Sequence, residues 1–275
     1  MSRVRRVDIG GLHIAVSEIG DGHPILLHPG LGYASWCWQQ LAILLADRYR
    51  VISIDPRGAG QSDKPVGPYS IEQLADDVAT LLDVTDEEPA HVIGHSMGGY
   101  VAQMLAVRHP DAIRSLVLLS SSPGGPKSHR VPEGTIEVWR RAAGLPPAMF
   151  ARETFPYSFR LGWPEEHVSQ YEGYLRDRLR WPTPPERWQD QYEACEVFLD
   201  SGIGRSVIGQ PTLIIHGAVD RVVPVANAYL LAGMIPNSSL LVLPNAGHNL
   251  MLEEPAFVAG RVSDFLEGPG EATWD

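Results

Sequence analysis

The segment Gly94-His95-Ser96-Met97-Gly98 places a serine between two glycines, where an apolar run (90–93) gives way to a helical pattern (99–106). This G-x-S-x-G spacing is that of a nucleophile elbow. A turn this tight forces the serine backbone into a strained conformation, and glycines at both flanks remove side chains that would collide with it. The hydroxyl is pushed out at the C-terminal edge of a sheet. The N–H groups that follow open a helix whose positive end favours an anion. The chemistry such a serine can do is nucleophilic attack on an electrophilic carbon.

A serine hydroxyl stays protonated at neutral pH. It needs a base within hydrogen-bond reach, and the base needs an orienting acid. Behind an elbow of this kind the acid and then the histidine follow in chain order. Asp220 follows the apolar run 212–215 and His216-Gly217, just past the end of an expected strand. The place after the run 115–119 also suits an acid, but Ser120-Ser121-Ser122 offers no carboxylate. His248 follows the run 240–243, one helix and one strand beyond Asp220, which sets the two loops side by side. Two backbone N–H donors must also face the developing oxyanion. Met97, directly after the serine, supplies one. The loop Pro29-Gly30-Leu31-Gly32 supplies the other; Pro29 has no N–H, which leaves Leu31 or Gly30, with Leu31 favoured.

The remaining histidines read as structural. His91 and His216 fall in strand patterns, His109 ends a helix, and His13, His23, His129 and His167 read as surface groups. His95 lies inside the elbow and is expected to point away from the nucleophile. No spaced His/Cys cluster or H-E-x-x-H occurs, so neither a metal nor a cofactor is expected.

The elements that must position these residues alternate. Residues 6–9 and 12–19 read as a hairpin around Gly10-Gly11. Residues 24–28, 50–55, 90–93 and 115–119 read as buried strands. Helical spacing covers 36–45 and 71–82, the latter with Ser70 as N-cap. The rhythm resumes with a strand at 210–216, a helix at 224–234, a strand at 239–243 and a helix at 255–266. A frayed tail is expected over 267–275. All-apolar strands imply a mostly parallel sheet covered on both faces, an α/β fold.

Residues 123–205 break this rhythm. They are helical in pattern and rich in proline, and they hold four tryptophans, Trp139, Trp163, Trp181 and Trp188. The expected organisation is a core of 1–122 and 206–275 with 123–205 inserted as a helical cap. Tryptophans there can glue small helices together or line an apolar pocket. Gly30, Tyr33, Trp36, Trp139, Trp163 and Trp188 are the candidate substrate contacts, while Asp55, Arg57 and Asp63 are expected to brace loops.

The 275 residues carry a net charge of −11, which disfavours nucleic acid and anionic membranes as partners. Cys37 and Cys195 are expected to be unpaired thiols in a reduced compartment. The N-terminal residues lack an apolar signal-peptide core, and no apolar run approaches a membrane span, so the expected setting is cytoplasmic.

With these residues in place, the chain resembles the α/β-hydrolase superfamily. Within it, the chain is similar to the small, cofactor-free esterase and lactonase branch that includes 3-oxoadipate enol-lactonase-like proteins. The marks are His28-Pro29-Gly30-Leu31-Gly32, the stretch from Asp55-Pro56-Arg57-Gly58 to Asp63, the elbow, and the Asp220 and His248 loops. Pro29 departs from the His-Gly common in relatives. The resemblance implies a serine hydrolase acting on a small-molecule carboxylic ester or lactone through an acyl-serine. The same three residues also serve thioester hydrolysis, C–C bond hydrolysis and perhydrolysis, or a slow-turnover ligand sensor. A serine at the elbow sets the chain apart from dehalogenase and epoxide hydrolase relatives, which carry aspartate there.

Overall fold

The structure is a computed structural model describing residues 4–86 and 89–268. The chain opens with the hairpin β1 (Val4–Asp8) and β2 (His13–Ile19). It continues through β3 (Pro24–His28), α1 (Gln39–Leu45), β4 (Arg50–Asp55), α2 (Ile71–Val84), β5 (Ala90–His95), α3 (Met97–Arg108) and β6 (Ile113–Leu119). Five α-helices follow: α4 (Glu133–Ala142), α5 (Pro147–Thr154), α6 (Trp163–Glu166), α7 (Val168–Arg180) and α8 (Pro185–Ser201). The chain then forms β7 (Thr212–Gly217), α9 (Ala226–Met234), β8 (Ser238–Leu243), α10 (Leu250–Glu253) and α11 (Pro255–Leu266). Of the expected frayed tail, 269–275 lie outside the described residues, and Glu267 pairs with Arg48.

The eight strands form one sheet in the order β1-β2-β4-β3-β5-β6-β7-β8. The pairs β1·β2 and β2·β4 are antiparallel and the others parallel. Successive strand residues point to opposite faces, so each apolar run feeds two cores. Leu26, Val92, Leu116 and Leu118 pack with Leu74 and Val78 of α2 and Val101 and Leu105 of α3. Ile25, Leu27, Ile93, Val117 and Leu119 pack on the other face with Leu41 and Leu45 of α1 and Val258 and Val262 of α11. Burying one such side chain is worth about 1.5–3 kcal/mol. Two-sided burial therefore explains why these strands show no polar alternation.

Two expected helices begin later than their apolar spacing suggests. Residues 35–38 form a 3-10 turn before α1, and Ser35 N–H is held by Asp55 Oδ1 at 2.7 Å while Trp38 is fully buried. Before α9, Asn227 N–H bonds to Pro224 O and Ala228 N–H to Val225 O, both at 2.9 Å, so residues 224 and 225 form a tighter turn ahead of the helix. Ser70 caps α2 as expected, accepting from Gln73 N–H at 3.1 Å. Asp55, Arg57 and Asp63 do brace loops. Asp55 also accepts from Gln61 N–H, Arg57 pairs with Asp77 at 2.5 Å, and Asp63 accepts from His13 N–H.

Between β6 and β7 the described chain forms helices and turns but no strand. Gln191 of α8 ties this segment to the loops beyond β3 and β4: its Oε1 accepts from Gly32 N–H at 2.9 Å, and its Nε2 donates to Arg57 O at 3.1 Å. No helix among the described residues is long and apolar enough to cross a membrane.

The junction of β5 and α3 is packed backbone against backbone. A Cβ on Gly94 would strike the Gly98 carbonyl, and one on Gly98 would strike the His28 carbonyl on the neighbouring strand. Both obstacles are backbone and cannot swing aside. Gly98→Ala is therefore expected to destabilise the fold by about 1–3 kcal/mol or more, read as a lower urea midpoint. Gly134→Ala, in open space on α4, is expected to leave the midpoint unchanged or raise it. A Gly98→Ala midpoint equal to wild type would contradict the packing argument.

Candidate active site

Ser96 sits at φ 54°, ψ −118°, a conformation that side-chain-bearing residues rarely adopt. The sheet and the helix clamp it there. Its N–H donates to Leu119 O at 2.9 Å, and its carbonyl accepts from Gly99 N–H at 2.8 Å and Ser121 Oγ at 3.1 Å. The strain is thus offset by bonds on both sides. Met97 begins α3 directly behind the hydroxyl.

Asp220 and His248 reach the same place from the loops beyond β7 and β8. The loops lie against each other: a Cβ on Gly217 would strike the Ala246 carbonyl, and Val219 N–H donates to Ala246 O at 3.2 Å. Asp220 Oδ1 accepts from the N–H groups of Val222 at 2.7 Å and Val223 at 2.9 Å. Its Oδ2 lies 2.8 Å from His248 Nδ1 and 3.3 Å from His216 Nε2. Burial alone would raise this carboxyl's pKa, but the two imidazoles pull it well below the ordinary carboxylate range. A carboxylate at that oxygen requires His248 Nδ1 to carry its proton, which leaves Nε2 with a lone pair. His248, like Ser96, lines one cavity of about 70 Å³.

His216 and His95 do more than their positions in strand and elbow suggest. His216 Nε2 faces only acceptors, Val223 O at 2.9 Å and Asp220 Oδ2, so it must be the protonated nitrogen. It is a second donor to the carboxylate that orients His248. His95 was expected to point away from the nucleophile, yet it borders the cavity, and its Nε2 donates to the His248 carbonyl at 3.0 Å. Burial, and then the neighbouring His248, lower the His95 pKa to about 3 and keep the ring neutral. The spacing of four residues between His216 and Asp220 was the available sequence signal for the first. The second had none.

Leu31 and Met97 line the cavity together with Gly30 and Tyr33. In the loop after β3, Gly32 N–H is engaged by Gln191 Oε1 and Tyr33 N–H by Gly30 O. That leaves the N–H groups of Gly30 and Leu31. Trp139 and Trp188 line the cavity from the helical segment, joined by Phe150 and Arg178, which sequence reasoning did not single out. Two expected contacts lie elsewhere. Trp36 packs on Tyr33 and Phe155, at ring-centroid distances of 5.1 and 6.0 Å, and borders a separate cleft. Trp163 is stacked between Phe159 at 4.8 Å and His167 at 4.5 Å, deep in an aromatic cluster. Packing among those rings claims its surface. Cys37 and Cys195 are free and buried, and burial pushes both thiols up. Among the described residues no cluster of three or more His, Cys, Asp or Glu side chains could hold a metal ion.

The family described as alpha/beta hydrolase fold matches residues 23–180 and 152–255. The chain belongs to that family. It is 28% identical over 272 residues to a 2-hydroxymuconate semialdehyde hydrolase of Pseudomonas sp. strain CF600, covering 95% of this chain and 93% of that protein. It is 30% identical to a putative carbamate hydrolase RutD of Variovorax paradoxus, over 93% of this chain and 96% of that one. Among solved structures, the enol-lactonase from Burkholderia xenovorans LB400 superposes with a TM-score of 0.83 at 26% identity, covering 96% of this chain and 100% of that one. A thermophilic esterase from Thermogutta terrifontis does so with 0.82 at 26%, covering 96% and 98%.

In this alpha/beta hydrolase the His248 loop is pinned by a second buried acid. Both carboxyl oxygens of Glu253 accept from Gly247 N–H at 3.1 Å, and Oε1 also accepts from Arg160 N–H at 3.1 Å. Burial raises its pKa to about 7, the backbone donors only partly opposing this. Because the folded value lies above the unfolded one, the native state holds the proton that the unfolded chain has already lost. Stability from this group is fully present below the unfolded value, about 4.3, and is lost as pH rises through about 7. Glu253→Gln, which cannot ionise, is expected to gain stability relative to wild type between pH 5 and pH 8, by about 1–3 kcal/mol. Urea unfolding of both proteins at the two pH values measures this. An equal difference at both would show that the carboxyl does not titrate there.

Proposed function

We propose that the protein is a serine hydrolase that cleaves a small-molecule carboxylic ester or lactone through an acyl-serine, with residues 123–205 as a cap over the site. The observation that carries this reading is the buried Asp220–His248 pair, set in the tautomer of a base and sharing a cavity with a strained serine. Ser96 Oγ attacks the carbonyl carbon as His248 Nε2 takes its proton. The oxyanion is met by the N–H groups of Met97 and Leu31. Loss of one such donor typically costs about 3 kcal/mol in the transition state. The C–O bond then breaks and the alcohol leaves with the proton from His248. Water gives its proton to His248 and attacks the acyl carbon; the C–Oγ bond then breaks as His248 returns that proton to Ser96 Oγ, leaving the acid as product. Asp220 stays ionised throughout and stabilises the imidazolium.

Similarity along 95% of the chain to a 2-hydroxymuconate semialdehyde hydrolase supports a second reading, hydrolysis of a C–C bond beside a carbonyl. The same base and oxyanion donors serve it. The difference is that the leaving atom is carbon and must be protonated.

Stopped-flow assay of a chromogenic ester is expected to show a burst equal to the enzyme concentration. Ser96→Ala is expected to abolish it, and Asp220→Asn to lower kcat about 10⁴-fold. A burst surviving in Ser96→Ala would overturn the acyl-serine reading. Turnover of a vinylogous diketone, with negligible ester turnover, would select C–C cleavage.

A further inference from the structure

Arg178 stands where two chambers meet. The inner one holds Ser96. The outer one, about 180 Å³, lies within the helical segment. Arg178, Trp139, Phe150 and Trp188 border both chambers. Three of the four are aromatic, and they hold one another by edge contacts, with Trp188 5.3 Å from Phe150 and 6.2 Å from Trp139. Gly32, on the wall of the outer chamber, lets Trp188 pack directly on the loop after β3, since a Cβ there would strike the indole. Leu145, Leu179 and a group of prolines make the rest of the outer wall largely apolar, and Arg178 is the one charged residue lining it.

The guanidinium is held without a counter-ion. It lies over the rings of Tyr33, at 5.1 Å, and Phe155, at 4.9 Å. Among the described residues no carboxylate pairs with it or hydrogen-bonds to it. Burial lowers its pKa, with only the two tyrosines, Tyr33 and Tyr171, acting against this. A guanidinium in a partly buried wall without a carboxylate keeps N–H donors available to a ligand. Ring faces orient a guanidinium but leave its in-plane N–H fork free. The planar partner that such a fork fits is a carboxylate. The other charged residue of the inner chamber, Glu196, faces Arg130 at 3.5 Å and is not part of this neck.

We propose that the ligand of this site carries a carboxylate, which Arg178 binds at the neck between the chambers, and an apolar aryl or alkyl body, which fills the outer chamber. This rests on the reading of Ser96 as the reacting residue only for which bond is cut; the binding itself does not require turnover.

The test is therefore made first without turnover. Titration calorimetry on Ser96→Ala compares omega-phenylpentanoate with its neutral amide, which share shape and apolar body. The acid is expected to bind about 10- to 100-fold tighter, the size of a charged hydrogen-bonded contact. In Ser96→Ala/Arg178→Met, which keeps an apolar side chain of similar reach, that preference is expected to vanish. Ser96→Ala/Arg178→Lys, which keeps the charge but not the fork, is expected to retain part of it. Equal binding of acid and amide, a preference that persists without Arg178, or no binding of either would overturn the proposal. Turnover then separates the two readings. A burst with no preference between a hydrogen glutarate ester and a pentanoate ester of para-nitrophenol would leave the hydrolase standing and this inference refuted. Acid-selective binding without any acylation would do the reverse.

Discussion

A buried carboxylate organises the edge of the sheet at which Ser96 and His248 meet. Asp220 carries its charge where water does not reach, and such a charge is tolerable only if every lone pair is met. Two backbone N–H groups meet one oxygen, and two imidazoles meet the other. Meeting them dictates much else. The loop after β7 must turn back on itself at Val222 and Val223. His216 must present Nε2–H from within a strand. His248 must present Nδ1–H from a neighbouring loop, which fixes the lone pair that a serine proton needs. The loops beyond β7 and β8 are pressed together, and Gly217 leaves them room.

The elbow answers to a different constraint, which is steric. β5 lies in the middle of the sheet between β3 and β6, and α3 starts immediately behind Ser96. Gly94 and Gly98 pack backbone on backbone, so the serine has no route except the left-handed region it occupies. The strain is local, and the bonds to Leu119, Gly99 and Ser121 hold it in place. The electrostatic and steric constraints converge because parallel strands all end at one edge, where loops from distant parts of the chain become neighbours.

This convergence explains how much could be read from the sequence. Apolar runs of five or six residues, punctuated by glycine and proline, marked the sheet and its two covered faces. Loops directly after such runs pointed to Ser96, Asp220 and His248, because the position after a strand decides which edge a residue occupies. Side-chain direction was less legible. Trp163 and Trp188 look alike in a proline-rich helical segment, but stacking on Phe159 and His167 takes one into packing, while the other closes over Gly32. His216 was hidden by the strand that carries it. Arg178 was hidden in the charged run 176–180, because nothing local tells which arginine of a helix turns toward a cavity and away from solvent.

The account depends on one atom, Ser96 Oγ, being a nucleophile and not only the hydroxyl of a strained, buried serine. The direct measurement is exposure to a fluorophosphonate, followed by intact-mass determination and peptide mapping. The account predicts a single adduct on Ser96, absent in Ser96→Ala and formed far more slowly in His248→Gln. An unmodified protein, or an adduct on any other residue with Ser96 free, would contradict it.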